Sequence, residues 1–163
     1  GWDSREKGLD NMANFSEFCG RSHQAFEKEG GEFILVDNSD LYKGISEENW
    51  QELTTALDSD AKLRLVFAHK TPFHPDSAHI MGSDSPAVAK QAQEFLNLLE
   101  VKKADGFFSG DIHFFARFNS PDSSVRITTI GAVASERNFQ GPRFSILKVY
   151  DDYSFDVEDL EIQ

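Results

Sequence analysis

A chain of 163 residues, 39% of them hydrophobic, is long enough to bury one real core, so a single domain over 1–163 is expected. Its formal net charge of −12 excludes a surface that coats nucleic acid, but leaves a phosphate substrate open, because a metal ion inverts the electrostatics of its own site. The lone Cys19 excludes an intramolecular disulfide framework, and no apolar run reaches membrane-spanning length, so the compartment stays unassigned.

Residues 1–21 read as a helical or irregular lead-in. Leu9, Met12, Phe15, Phe18 and Cys19 recur at spacings of three and four, as on a short packing helix. The core then runs over 22–163. His23 to Glu29 and Glu32 to Val36 flank Gly30-Gly31, the signature of a hairpin. Phe33 to Val36 is continuously apolar, as for a strand covered on both faces, and ends in the polar loop Asp37-Asn38-Ser39-Asp40. Asp37 could orient a metal ligand or simply close a turn on its own backbone. Ser46 caps a helix to about Leu57, with Trp50, Leu53, Ala56 and Leu57 as its buried stripe.

Leu63 to Ala68 reads as a buried strand and runs directly into His69. The loop that follows, to about Ser85, is rich in Pro and also holds His74 and His79, enough to suspect function. His69, at the strand end, is a candidate ligand, with a merely structural histidine as the other reading. For His74 and His79 the structural reading leads, and a contact to substrate phosphate is the alternative. Ser85-Pro86 opens a helix with Val88, Ala92, Phe95, Leu96 and Leu99 on its inner face.

Gly106 to Ser109 is a further strand and leads into Gly110-Asp111-Ile112-His113, where Gly110 permits a close backbone approach. In a turn beyond a strand, Asp111 and His113 could both reach one ion in the crevice at the carboxyl ends of a sheet. Phe114 to Phe118 and Val125 to Ile130 flank a polar hairpin loop, and Gly131 to Ser135 is a bend of small residues. Arg143 to Tyr150 and Ser154 to Ile162 alternate as antiparallel strands at a sheet edge. The whole predicts an α/β fold, a mixed β-sheet with helices on one face and C-terminal antiparallel hairpins.

Four of these stretches, in order, resemble the C-terminal half of calcineurin-like metallophosphoesterases, the purple acid phosphatases among them. Phe33-Ile34-Leu35-Val36-Asp37-Asn38-Ser39 resembles that family's strand ending in Leu-Asp-Ser, and Glu48 to Leu53 the helix after it. Val66-Phe67-Ala68-His69 with Pro72 resembles its strand-then-His element. Gly110-Asp111-Ile112-His113 resembles its Gly-His-x-His element, with Asp in place of the first His. Arg117 and Phe115 fall where the purple acid phosphatase version carries Arg and Tyr. The resemblance spans about residues 22–161. Gly131 to Ser135 resembles the family's small-residue loop near the active site, or is a tight bend between strands.

The resemblance implies one half of a two-sheet sandwich and hydrolysis of a phosphate mono- or diester by a water that two metal ions activate. His69 and Asp111 would bind one ion and His113 the other, with His74 and Arg117 as candidates for substrate contact. Imidazole and carboxylate ligands suit Mn, Fe or Zn. The elements that fill the front half of such a site, Asp-x-His, Gly-Asp-x-x-Asp and Gly-Asn-His-(Asp/Glu), are absent, and the chain begins at Gly1. It therefore reads as a fragment or processed product that carries part of a site and is inactive alone. Asp111 either preserves a ligand while adding negative charge or marks a degenerate site. The alternative function is a non-catalytic binding or assembly domain on the same scaffold. A half-sandwich also leaves a sheet face bare, so self-association is expected.

Overall fold

A computed structural model describes residues 13–120 and 124–162. Among the described residues, eight strands and three helices follow in the order α1 (Ala13–Cys19), β1 (Gln24–Lys28), β2 (Gly31–Val36), α2 (Glu47–Leu57), β3 (Leu63–Ala68), α3 (Pro86–Val101), β4 (Gly106–Ser109), β5 (Ala116–Asn119), β6 (Arg126–Thr129), β7 (Arg143–Val149) and β8 (Phe155–Glu161). The main sheet has the order β1-β2-β3-β4-β6-β5. Its four inner strands run parallel, and β1 and β5 close the two edges antiparallel.

The register explains the layers. Ile34, Val66, Phe107 and Ile127 are aligned partners across β2, β3, β4 and β6, so one face of the sheet is an unbroken apolar row. Helices α2 and α3 cover that row with Leu53, Leu57, Val88, Ala92, Phe95, Leu96 and Leu99. Both helices start where the caps require: Ser46 accepts from the Asn49 amide, and Ser85, followed by Pro86, accepts from that of Val88. Trp50 is partly buried on this core, its edge toward Phe95 at 6.3 Å.

The opposite face carries Leu63, Leu65, Phe67 and Phe108 and is partly covered by Leu147, Phe155 and Val157 of β7 and β8. A file of aromatic rings crosses it, from Phe26 through Phe33 and Phe67 to Phe108 and Phe155. Gly106 makes this contact possible, since a Cβ there would lie 2.8 Å from the Phe155 ring.

Four expectations change. The C-terminal hairpin is not an edge of the main sheet but a separate two-stranded sheet packed on its bare face. Strand β5 begins at Ala116 instead of Phe114, because the preceding residues are taken up by turns. Phe15 and Phe18 of α1 are exposed instead of packed, and Leu9 and Met12 lie outside the described residues. On β2, Ile34 and Val36 are buried while Leu35 is exposed, so that strand is covered on one face only near its end. Among the described residues no helix is long and apolar enough to cross a membrane.

Candidate functional site

The carboxyl ends of β3 and β4 lie side by side, with Ala68 paired to Ser109. The chain beyond each end therefore starts from the same place, and the Gly110 amide donates to the carbonyl oxygen of His69 at 3.0 Å. Around Gly110 itself there is room: a Cβ would find only that oxygen, at 3.8 Å. Among the described residues, the adjoining ones apart, no other atom comes within 4 Å of that position.

Asp111 then turns sharply. Its φ is +66°, and the Ile112 amide donates back to the Gly110 carbonyl at 2.8 Å, which makes Asp111 the middle of a γ-turn with positive φ. The next residue but one, His113, is also left-handed, with φ +68°. Such a conformation costs a non-glycine residue about 1–2 kcal/mol, least for Asp, Asn and His. Between them Ile112 is buried and anchors the turn.

Three basic side chains converge on Asp111. Lys70 Nζ donates to Oδ2 at 2.7 Å, His79 Nε2 lies 3.1 Å from the same oxygen, and His69 Nε2 lies 3.4 Å from Oδ1. Burial alone would raise the Asp111 pKa; the hydrogen bonds from His69 and Lys70 and the Lys70 charge outweigh it and hold the carboxyl far below the usual carboxylate range. The Lys70 side chain is only 6% exposed and that of Asp111 15%, whereas both histidines are about half open to solvent.

Lys70 is fixed by its backbone. Fully buried Asn38, just past β2, accepts from the Lys70 amide at 2.9 Å and donates to the Lys70 carbonyl at 2.7 Å. Its neighbour Asp37 instead accepts from the amide and hydroxyl of Ser39, a local turn. The orienting residue in this loop is thus Asn38, and Asp37 takes the turn role.

His113 does not join the Asp111 cluster. Its Nδ1 lies 2.8 Å from the carbonyl oxygen of Glu136. A carbonyl can only accept, so Nδ1 is the donor, and in the neutral ring Nε2 then offers its lone pair, the orientation that metal-bound histidines ordinarily have. The small-residue loop lies against this histidine: the Ala132 amide donates to the His113 carbonyl at 2.9 Å, and Asn138 ties the loop by donating to Ala132 and Gly141.

His74 and Arg117, two of the candidates for substrate contact, make other contacts. His74 is buried, its ring edge-on to Phe114 and Phe118, its Nδ1 accepting from the Asp76 amide. Burial lowers its pKa, opposed by Asp76. Arg117 sits on β5 over the Phe115 ring at 5.2 Å and reaches toward Asp156 of the hairpin. His79, by contrast, stands at the cluster. Lys70 and Asn38 are the residues that sequence reading missed; for His79 it puts a structural role first, with phosphate contact as the alternative. The available signal was Asp111 itself: a carboxylate where the related pattern has a neutral ring calls for a cation nearby.

In chemical type the donors suit a metal: imidazoles, a carboxylate, and one histidine with its free nitrogen already selected. In number they fall short, since among the described residues no group of three or more His, Cys, Asp or Glu is arranged to hold an ion.

Comparison with known proteins rests on structure. No protein-family model matches the chain, and no curated protein does so at a significant level. A purple acid phosphatase from seeds of yellow lupin, Lupinus luteus, superposes with a TM-score of 0.63 at 14% identity, covering 87% of this chain and 30% of that one. A Plasmodium protein described as the anchor in the inner membrane complex superposes with a TM-score of 0.50 at 19% identity, covering 85% of this chain and 45% of that one. The chain thus spans less than half the length of either neighbour, and it carries, in part, the fold of the metallophosphoesterases.

Proposed function

We propose that the chain is one part of a metal-dependent phosphoesterase, supplying His69, Asp111 and His113 to a centre that residues outside this chain complete. The observation behind the reading is His113, whose Nδ1 bond to Glu136 at 2.8 Å leaves Nε2 as a ready ligand atom at the same sheet end as Asp111. Two divalent ions, Mn, Fe or Zn, would clamp the phosphoryl group of a phosphate mono- or diester and acidify a bound water. The chain's own residues hold the charge pattern around them. Asp111 stays ionised, Lys70 offsets it, and half-exposed His79 is the side chain we assign to substrate phosphate.

The test uses the natural polypeptide that contains this sequence, with its His69→Ala and His113→Ala variants. Metal content by elemental analysis and hydrolysis of p-nitrophenyl phosphate and bis(p-nitrophenyl) phosphate are measured on each. Retained metal, with hydrolysis falling on the order of a hundredfold in either variant, supports the reading. A folded parent with neither metal nor hydrolysis overturns it.

One observation favours a second reading. The Lys70 ammonium already stands 2.7 Å from Asp111, so the carboxylate is satisfied without a metal, as suits a non-catalytic binding or assembly domain. The Plasmodium neighbour is itself described as an anchor. On this reading the same experiment gives a stable protein that takes up no metal.

A further inference from the structure

Lys70 and Asp111 come from the ends of neighbouring parallel strands, and each is held in place by its own backbone. Asn38 clamps the Lys70 amide and carbonyl, and the γ-turn sets Asp111. A buried ammonium or carboxylate is costly alone and tolerable only when paired and hydrogen-bonded. Here the two meet at 2.7 Å with little access to water. No other lysine or arginine among the described residues forms an ion pair with Asp111.

We infer that Lys70 is the built-in counter-charge of Asp111, so that the pair presents to the site the net charge of one neutral imidazole. The carboxylate adds one negative charge to a site meant for an anionic phosphate, and the ammonium cancels it where it arises. Asp111 can then serve beside a metal without repelling substrate, and neither residue is replaceable alone. Lys70 is a positioning residue, acting on the site through Asp111. Its consequence for metal rests on the phosphoesterase reading; the coupling of the pair does not.

The experiment is a double-mutant cycle on the natural polypeptide: parent, Lys70→Met, Asp111→His, and both together. The metal-free proteins are compared by urea midpoint, and metal retained per chain is measured after dialysis against Mn and Zn. Each single change should lower the midpoint, while the double change recovers at least half of the summed loss. Asp111→His alone should retain metal on the order of tenfold more weakly than the parent, and the double change should return to within about threefold of it. Additive midpoints, or an Asp111→His protein as stable and metal-retentive as the double variant, would overturn the inference. If Lys70→Met does not fold, Lys70→Gln, which keeps a donor and removes the charge, takes its place in the cycle. A parent that retains no metal sinks the phosphoesterase reading, while the midpoints still decide the pair.

Discussion

Asn38→Ala is the substitution whose cost follows most directly from the structure. The Asn38 side chain makes one bond to each side of the Lys70 peptide, at 2.9 Å and 2.7 Å, and it is fully buried. Alanine removes both and leaves an amide and a carbonyl without partners in the interior. At about 1–3 kcal/mol for each of the two stranded groups, the loss is about 2–6 kcal/mol. For a chain of this size about 3 kcal/mol corresponds to a fall of about 6–12 °C in melting temperature. Urea denaturation read by tryptophan fluorescence and by far-ultraviolet dichroism, with coincident transitions, gives the number. Asn38→Asp provides the control on mechanism: it keeps the acceptor for the Lys70 amide but sets a carboxylate oxygen against the Lys70 carbonyl. Once the carboxylate is ionised it should therefore be at least as damaging, whereas the protonated acid, which burial favours, can still donate to that carbonyl. A loss below about 1 kcal/mol for Asn38→Ala would show that the clamp is not what holds Lys70.

Acid should expose the Asp111 contribution. Its pKa in the folded chain lies below the unfolded value of about 3.9, so this stability is fully present above about pH 5 and is lost as pH falls through 4 toward the folded value. Urea midpoints from pH 6 to pH 3 should therefore drop more steeply for the parent than for Asp111→Asn, and parallel slopes would refute this. Gly82 has a φ of +90° and its absent Cβ would lie 2.3 Å from the backbone of Ala89, so Gly82→Ala should cost about 3 kcal/mol or more by the same denaturation assay. Phe26, Phe144, Ile146, Val149 and Tyr150 are exposed along β1 and the C-terminal hairpin, and sedimentation of the chain alone should show concentration-dependent self-association. A monomer across a hundredfold range of concentration would count against it.

The parts of the fold that were legible in the chain are those set by local periodicity and caps. Ser46 and Ser85-Pro86 mark helix starts because their side chains and ring act within one turn, and Leu63–Ala68 and Gly106–Ser109 declare themselves as short apolar runs between polar loops. The hairpin of β7 and β8 was legible as a hairpin but not as a separate layer, since alternation fixes which side chains share a face and not what that face meets. At the site, strand ends and histidines could be read one at a time. The contacts that make the cluster could not: Lys70 reaches Asp111 across 41 positions and Asn38 reaches Lys70 across 32. Nothing in a local pattern couples residues so far apart. The turn at Asp111 was hidden for a different reason, because a positive φ at a non-glycine residue is imposed by its surroundings.

That turn also channels what can replace what. Asp111 and His113 stand at φ +66° and +68°, a backbone region that glycine enters freely, that Asn, Asp and His enter at less cost than other residues, and that Val, Ile and Thr avoid. Three of the four tolerant residues carry metal-binding or hydrogen-bonding side chains of similar reach. Drift at these two positions is thus confined by geometry to a small chemical alphabet, in which a histidine can become an aspartate without rebuilding the loop. A library saturated at both positions and selected only for folding should recover that alphabet, and so report the shape of the site before any substrate is known.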